Sequence, residues 1–184
     1  MSHPAAERLV ERCCAAEIVA LDSVFFIYHF QDHPDYGPLT TGVLAAVEAG
    51  RFRAVGSSLV LTEVLVHPLR CGAEAEAGDY YALLTTFPNL RLVAPGPEVA
   101  LAAAGLRASE GLRTPDAIHL ATALAEKARL FLTNDHRLAR QARILCGAGA
   151  GDRWQPGGED QSAAAAHHRA GLEVLLLDLC LERE

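Results

Sequence analysis

Five short aliphatic runs alternate along this chain with longer stretches in which apolar residues recur every three or four positions. The runs are Glu17 to Asp22, Phe52 to Ser57, Leu90 to Val93, Arg129 to Thr133 and Leu172 to Leu177. They are brief and rich in Val, Ile and Leu, which predicts strands. The stretches between them predict helices: Ser23 to Phe30, Leu39 to Ala49 with Gly50 as its stop, Leu59 to Val66 ending before Pro68, Glu74 to Phe87, Pro97 to Ser109, Pro115 to Ala128, and Arg137 to Leu145. A further helix-like segment precedes Glu17. The clearest helix starts at Thr114-Pro115, with Thr114 expected as N-cap, Pro115 at the first helical position, and Ile118, Leu120, Ala121, Leu124 and Ala125 as the apolar face. Strands that alternate with helices in this way build a parallel sheet covered on both faces.

One tract breaks the alternation. Residues 147–171 are rich in Gly and Ala, with Pro156, Gly157, Gly158 and the run Ala163 to Ala166, and they read as an inserted loop before the last strand. The alternative is a surface helix from Gln161 to Arg169. The 184 residues suit one domain spanning 1–184 with a substantial core. A composition 51% hydrophobic and 21% charged is globular rather than disordered, and charges interrupt every apolar stretch before membrane-spanning length. Met1 to Arg12 carries Glu7, Arg8, Glu11 and Arg12 and has no apolar signal core, so a cytoplasmic location without membrane attachment is expected. The five cysteines contain no C-x-x-C unit, which argues against structural zinc and suits reduced thiols. A net charge of −7 disfavours a surface that clamps nucleic acid all over. It leaves room for a nuclease, whose metal site is acidic until cations fill it and whose phosphate contacts can come from a few arginines.

The acids change the picture most. Asp22 ends the first predicted strand and Asp135 follows the fourth, so both fall at carboxyl ends, the edge of an open parallel sheet where ligands bind. Glu63 lies on a helix face whose neighbours are mainly apolar: Leu59, Val60, Val66 and His67. Asp116 occupies the first turn of the Thr114-Pro115 helix. Gathered together, such carboxylates repel, each pair at about 4 Å and an effective dielectric near 20 costing roughly 4 kcal/mol. A divalent cation offsets this, and Mg²⁺ takes a few carboxylates while water and phosphate oxygens fill its other positions. An ion so held can activate water for in-line attack on phosphorus. Singly, each acid also has an ordinary role: Asp116 stabilises any helix N-terminus and Asp135 can cap the helix from Arg137.

The segments Leu21-Asp22-Ser23, Ser57-Ser58-Leu59-Val60-Leu61-Thr62-Glu63, Thr114-Pro115-Asp116-Ala117-Ile118-His119-Leu120-Ala121-Thr122-Ala123 and Leu132-Thr133-Asn134-Asp135, in this order and spacing, resemble those of the PIN domains, including the VapC-type toxin ribonucleases. The resemblance implies a three-layer α/β/α fold with a five-stranded parallel sheet in the order 3-2-1-4-5. It also implies Asp22, Glu63, Asp116 and Asp135 around one or two Mg²⁺ or Mn²⁺ ions, with Ser23, Thr133 and Asn134 as supporting polar groups. The implied activity is metal-dependent endoribonuclease cleavage, with a small protein antitoxin and a homodimer as expected partners. A non-catalytic PIN-like module that binds RNA or protein is the alternative, and a DNA-directed nuclease a third reading. Arg113 and Arg137 are the arginines placed best for RNA contacts. His29 and His33, four apart, and His119, one turn beyond Asp116, leave a histidine-containing metal site as a minor alternative, with His119 otherwise packing beside the acids.

Overall fold

The computed structural model describes residues 3–147 and 172–181. Its centre is a five-stranded sheet of β1 (Ile18–Leu21), β2 (Arg53–Ser57), β3 (Leu90–Val93), β4 (Leu130–Thr133) and β5 (Glu173–Leu176). The order is β3-β2-β1-β4-β5 and every neighbouring pair is parallel, as the resemblance implied. The pleat sends successive side chains to opposite faces, and both faces are buried. Val19, Leu21, Leu130, Leu132 and Leu175 therefore enter one core, and Ala20, Val55, Phe131, Val174 and Leu176 enter the other.

The first core is closed by α1 (Pro4–Ala16), α2 (Ser23–Phe30) and α3 (Gly37–Glu48), which supply Leu9, Cys13, Phe25, Phe26, Leu39 and Val43. Cys13 is a core residue, and burial pushes its thiol up to about 12. The second core is closed by α7 (Pro97–Glu110), α8 (Thr114–Ala125) and α9 (His136–Gly147), through Val99, Leu106, Leu120 and Leu138. Between β2 and β3 run α4 (Leu59–Val64), α5 (Val66–Arg70) and α6 (Glu74–Thr86), and α10 (Asp178–Leu181) follows β5. Among the described residues no helix is long and apolar enough to cross a membrane.

Two local expectations are corrected. Thr114 lies inside α8, and the N-cap position falls to Arg113 with no side-chain cap, because Arg113 takes the extended backbone (φ −68°, ψ 155°) that the residue before a helix needs. The helix from Leu59 ends before Pro68 as expected, but at Val64 rather than Val66. Leu65 separates it from α5, which has Pro68 inside. Proline fits there because the first-turn N–H groups of a helix have no intrahelical acceptor. The last helix of the second layer runs on to Gly147, two residues past Leu145. The remainder of the 147–171 tract and the alternative helix from Gln161 to Arg169 lie outside the described residues.

Candidate metal centre

Strands β1 and β4 are neighbours with Leu21 beside Leu132, so the chain leaves both at the same edge of the sheet. Asp22 extends the ladder by donating its N–H to Leu132 O at 3.0 Å and then becomes the N-cap of α2. The residue is only 7% exposed. Oδ1 accepts from Ser23 N at 2.7 Å, and Oδ2 accepts from the Thr133 hydroxyl at 2.6 Å. The same hydroxyl accepts the backbone N–H of Asp135 at 3.0 Å. Thr133, fully buried, is thus a hinge pin between the two acid-bearing segments. Asp135 presents Oδ1 to the N–H groups of Arg137 and Leu138 at 2.8 and 2.9 Å, capping α9, so its ordinary helix-capping role is real.

The other two acids come from helices. Helix α8 packs against β2, α4 and α7, and its first turn carries Asp116 half-buried. One turn on, His119 is almost fully buried at 4% exposure and meets Glu63 of α4, Nε2 to Oε2 2.9 Å. His119 Nδ1 is buried without a partner.

The electrostatics show that these side chains share one field. Burial pushes Asp22 above the ordinary carboxylate range, with Glu63 adding to the shift and the His119 ring, Thr133 and Ser23 opposing it. Asp116 is also raised, by burial first and then by Asp135 and Asp22, which outweigh Arg137 and Arg113. Burial works against the Glu63 carboxylate too, but the bond and charge of His119 and a contribution from Ser23 hold it below its usual range. Burial alone would depress His119, yet Glu63, Asp22 and Asp116 together raise it. Among the described residues no arginine or lysine forms an ion pair with Asp22, Asp116 or Asp135.

The donor chemistry suits a hard cation. All four acids offer oxygen, and two, Asp22 and Asp116, are raised in pKa by burial and by neighbouring carboxylates, a situation that a positive charge relieves. Among the described residues no three His, Cys, Asp or Glu side chains already form a chelating group. The fit is therefore to an ion that takes one or two carboxylates and keeps water or phosphate for the rest, which is the habit of Mg²⁺.

Ser23 stands with Asp22, and Thr133 joins Asp22 to Asp135, but Asn134 faces elsewhere. Its Nδ2 donates to Tyr28 Oη at 3.2 Å and to Asp178 Oδ1 at 3.3 Å, while Oδ1 accepts from Asp178 N at 3.1 Å. The Asp178 carboxylate also receives the Tyr36 hydroxyl and His136 Nε2, and these bonds hold it below the usual carboxylate range. Asn134 thus ties the β4 loop to α10. Arg113 and Arg137 are exposed beside Asp116, and Arg137 donates to Gly111 O and Gln141. His119 is the participant that the sequence undervalued. Its only signal was a position one turn beyond Asp116, where a helix presents residues on a common face. His29 and His33 lie away from the acids, near Thr41 and the Tyr28–Tyr36 ring pair respectively.

A family model described as the PIN domain matches residues 19–144. Among solved structures, a chain of VapBC2 from Rickettsia felis, bound to a DNA fragment from its promoter, matches with a TM-score of 0.54 at 19% identity, covering 67% of this chain and 92% of that one. Likeness at that identity is likeness of fold. No curated protein matches.

Proposed function

Since this chain belongs to the PIN-domain family, we propose that it is a divalent-metal-dependent endoribonuclease whose site is built by Asp22, Asp116 and Asp135, with Glu63 completing it. The observation that carries this reading is the approach of acids from separate elements, with Thr133 bonded to both the Asp22 carboxylate and Asp135 N, Asp116 raised by Asp135 and Asp22, Asp22 raised by Glu63, and no arginine or lysine ion pair on the three aspartates among the described residues. When bound, Mg²⁺ or Mn²⁺ would supply a water of lowered pKa and charge stabilisation for the leaving oxygen. The chain's own residues do the positioning. Ser23 N and the Thr133 hydroxyl fix both oxygens of Asp22, and the α9 N-terminus fixes one oxygen of Asp135. Arg113 and Arg137 flank Asp116 at the exposed rim, where they can meet the phosphates on either side of the scissile bond. The single 1–184 domain would then carry the whole activity.

VapBC2 is a fold relative, and on that likeness this chain would be the toxin of a toxin–antitoxin pair. It would act on cytoplasmic RNA, dimerise, and be held by a small antitoxin with a segment laid beside the acids. The test is incubation of purified protein with RNA and with single-stranded DNA, with Mg²⁺, Mn²⁺ or chelator, beside Asp22→Asn. The expected result is RNA cleavage that needs metal and falls at least ~100-fold in the variant, the scale lost when a group stabilising transition-state charge is removed. RNA binding without cleavage under any metal would favour the non-catalytic module. Preferential DNA cleavage would replace the RNA assignment with the DNA-directed one.

A further inference from the structure

Resting on the reading just given, we infer that His119 is a positioning residue that restricts Glu63 to acting through a single oxygen. Glu63 belongs to a short helix of six residues, and its side chain is 32% exposed. Left alone, a glutamate there would sample several rotamers. His119 is in contrast almost fully buried, on the helix that also carries Ala117, Leu120, Ala121 and Ala123 of the second core. Its Nε2 binds Glu63 Oε2 at 2.9 Å, bridging two elements 56 residues apart in sequence. One carboxylate oxygen is thereby committed to His119, the Ser23 side chain also acts on this carboxylate, and among the described residues Oε1 makes no hydrogen bond of its own. A glutamate so restrained is suited to orienting a water or meeting a metal through one oxygen, rather than to bidentate chelation.

The second observation is the other ring nitrogen. Nδ1 is buried and unpartnered, and an unsatisfied buried polar atom costs free energy that Leu or Met at the same place would not incur. The imidazole is therefore a poor choice for packing alone. What it provides that an aliphatic side chain cannot is the bond to Glu63.

The experiment combines His119→Leu, His119→Gln, Glu63→Gln and the His119→Leu/Glu63→Gln double variant. RNA cleavage is measured across a Mn²⁺ series, and Mn²⁺ binding to the RNA-free protein is followed by calorimetry. The expected result for His119→Leu is a thermal midpoint equal to or above wild type, kcat lower by about tenfold or more with KM for RNA within about twofold, and weaker Mn²⁺ binding, as for other groups that orient a ligand. His119→Gln, whose amide can still donate to Glu63, recovers at least part of the loss. The double variant is no worse than Glu63→Gln alone. Wild-type kcat and Mn²⁺ affinity in His119→Leu would overturn the inference, and so would losses that add in full in the double variant. If leucine fails to fold, His119→Met takes its place as the variant without a donor to Glu63: lowered kcat and weaker Mn²⁺ binding that His119→Gln partly restores support the inference, and wild-type values in His119→Met overturn it. Absence of RNA cleavage in the wild type would sink the ribonuclease reading, while the Mn²⁺-binding comparison would still report on His119 and Glu63.

Discussion

Asp116→Asn is expected to make the metal-free protein more heat-stable while removing metal-dependent cleavage. The Asp116 carboxylate has no hydrogen-bond partner among the described residues, and burial, Asp135 and Asp22 all raise its pKa. A carboxyl whose folded pKa lies above its unfolded value destabilises the native state when ionised. That penalty is fully present above the folded pKa and fades as pH falls towards the ordinary carboxylate range. Asparagine is neutral throughout, so the gain should be greatest near neutrality and shrink by about pH 4. A rise on the order of 1–3 °C is expected for a chain of this size. Saturating Mn²⁺ should reverse the ranking. A ligand at about 100 times its Kd stabilises the native wild type by roughly 2.7 kcal/mol, and a variant lacking one ligand forfeits most of this. Thermal scans at pH 4 and 7.5, with chelator and with Mn²⁺, check both signs. A variant less stable without metal, or one that keeps the full Mn²⁺ shift, would count against the site.

Thr133→Val should act in the opposite direction on stability. Valine keeps the shape of this fully buried residue and removes the one hydroxyl that donates to Asp22 Oδ2 and accepts from Asp135 N. Each unsatisfied buried group costs about 1–3 kcal/mol, so the thermal midpoint should drop by several degrees, at roughly 2–4 °C per kcal/mol. Cleavage should fall about 10–100-fold, the usual loss when a group that orients a metal-binding side chain is deleted. Thr133→Ser retains the hydroxyl and should recover most of both. Chemical denaturation and initial rates measured on the three proteins separate the outcomes. Equal activity in the valine and serine variants would show that the Asp22–Thr133–Asp135 linkage has no part in the reaction.

The difference between these residues explains what could be read in the sequence. The sheet was legible because both its faces are buried: strands such as Val19-Ala20-Leu21 and Leu130-Phe131-Leu132 are unbroken apolar runs, and the helices between them carry apolar stripes. Asp22 and Asp135 stood out because the first directly follows such a run and the second lies three residues beyond one. Capping was less legible. The backbone decides which residue starts α8, and Thr114 has the right side chain in the wrong conformation. Asn134 adjoins the site in sequence yet faces Asp178, because neighbours along an extended chain point to opposite sides. The His119–Glu63 pair was beyond reach for another reason. Two helices 56 positions apart must be packed before that contact exists, and no local pattern encodes it. The network of Tyr36, His136 and Asp178 is equally non-local.

The most direct measurement is anomalous diffraction from crystals of the protein soaked in Mn²⁺. A peak bound by carboxylate oxygens of Asp22 and at least one of Asp116 and Asp135, at about 2.1 Å, is the predicted result. Density elsewhere, or none among these acids at saturating Mn²⁺, would contradict the proposal that they form one metal site.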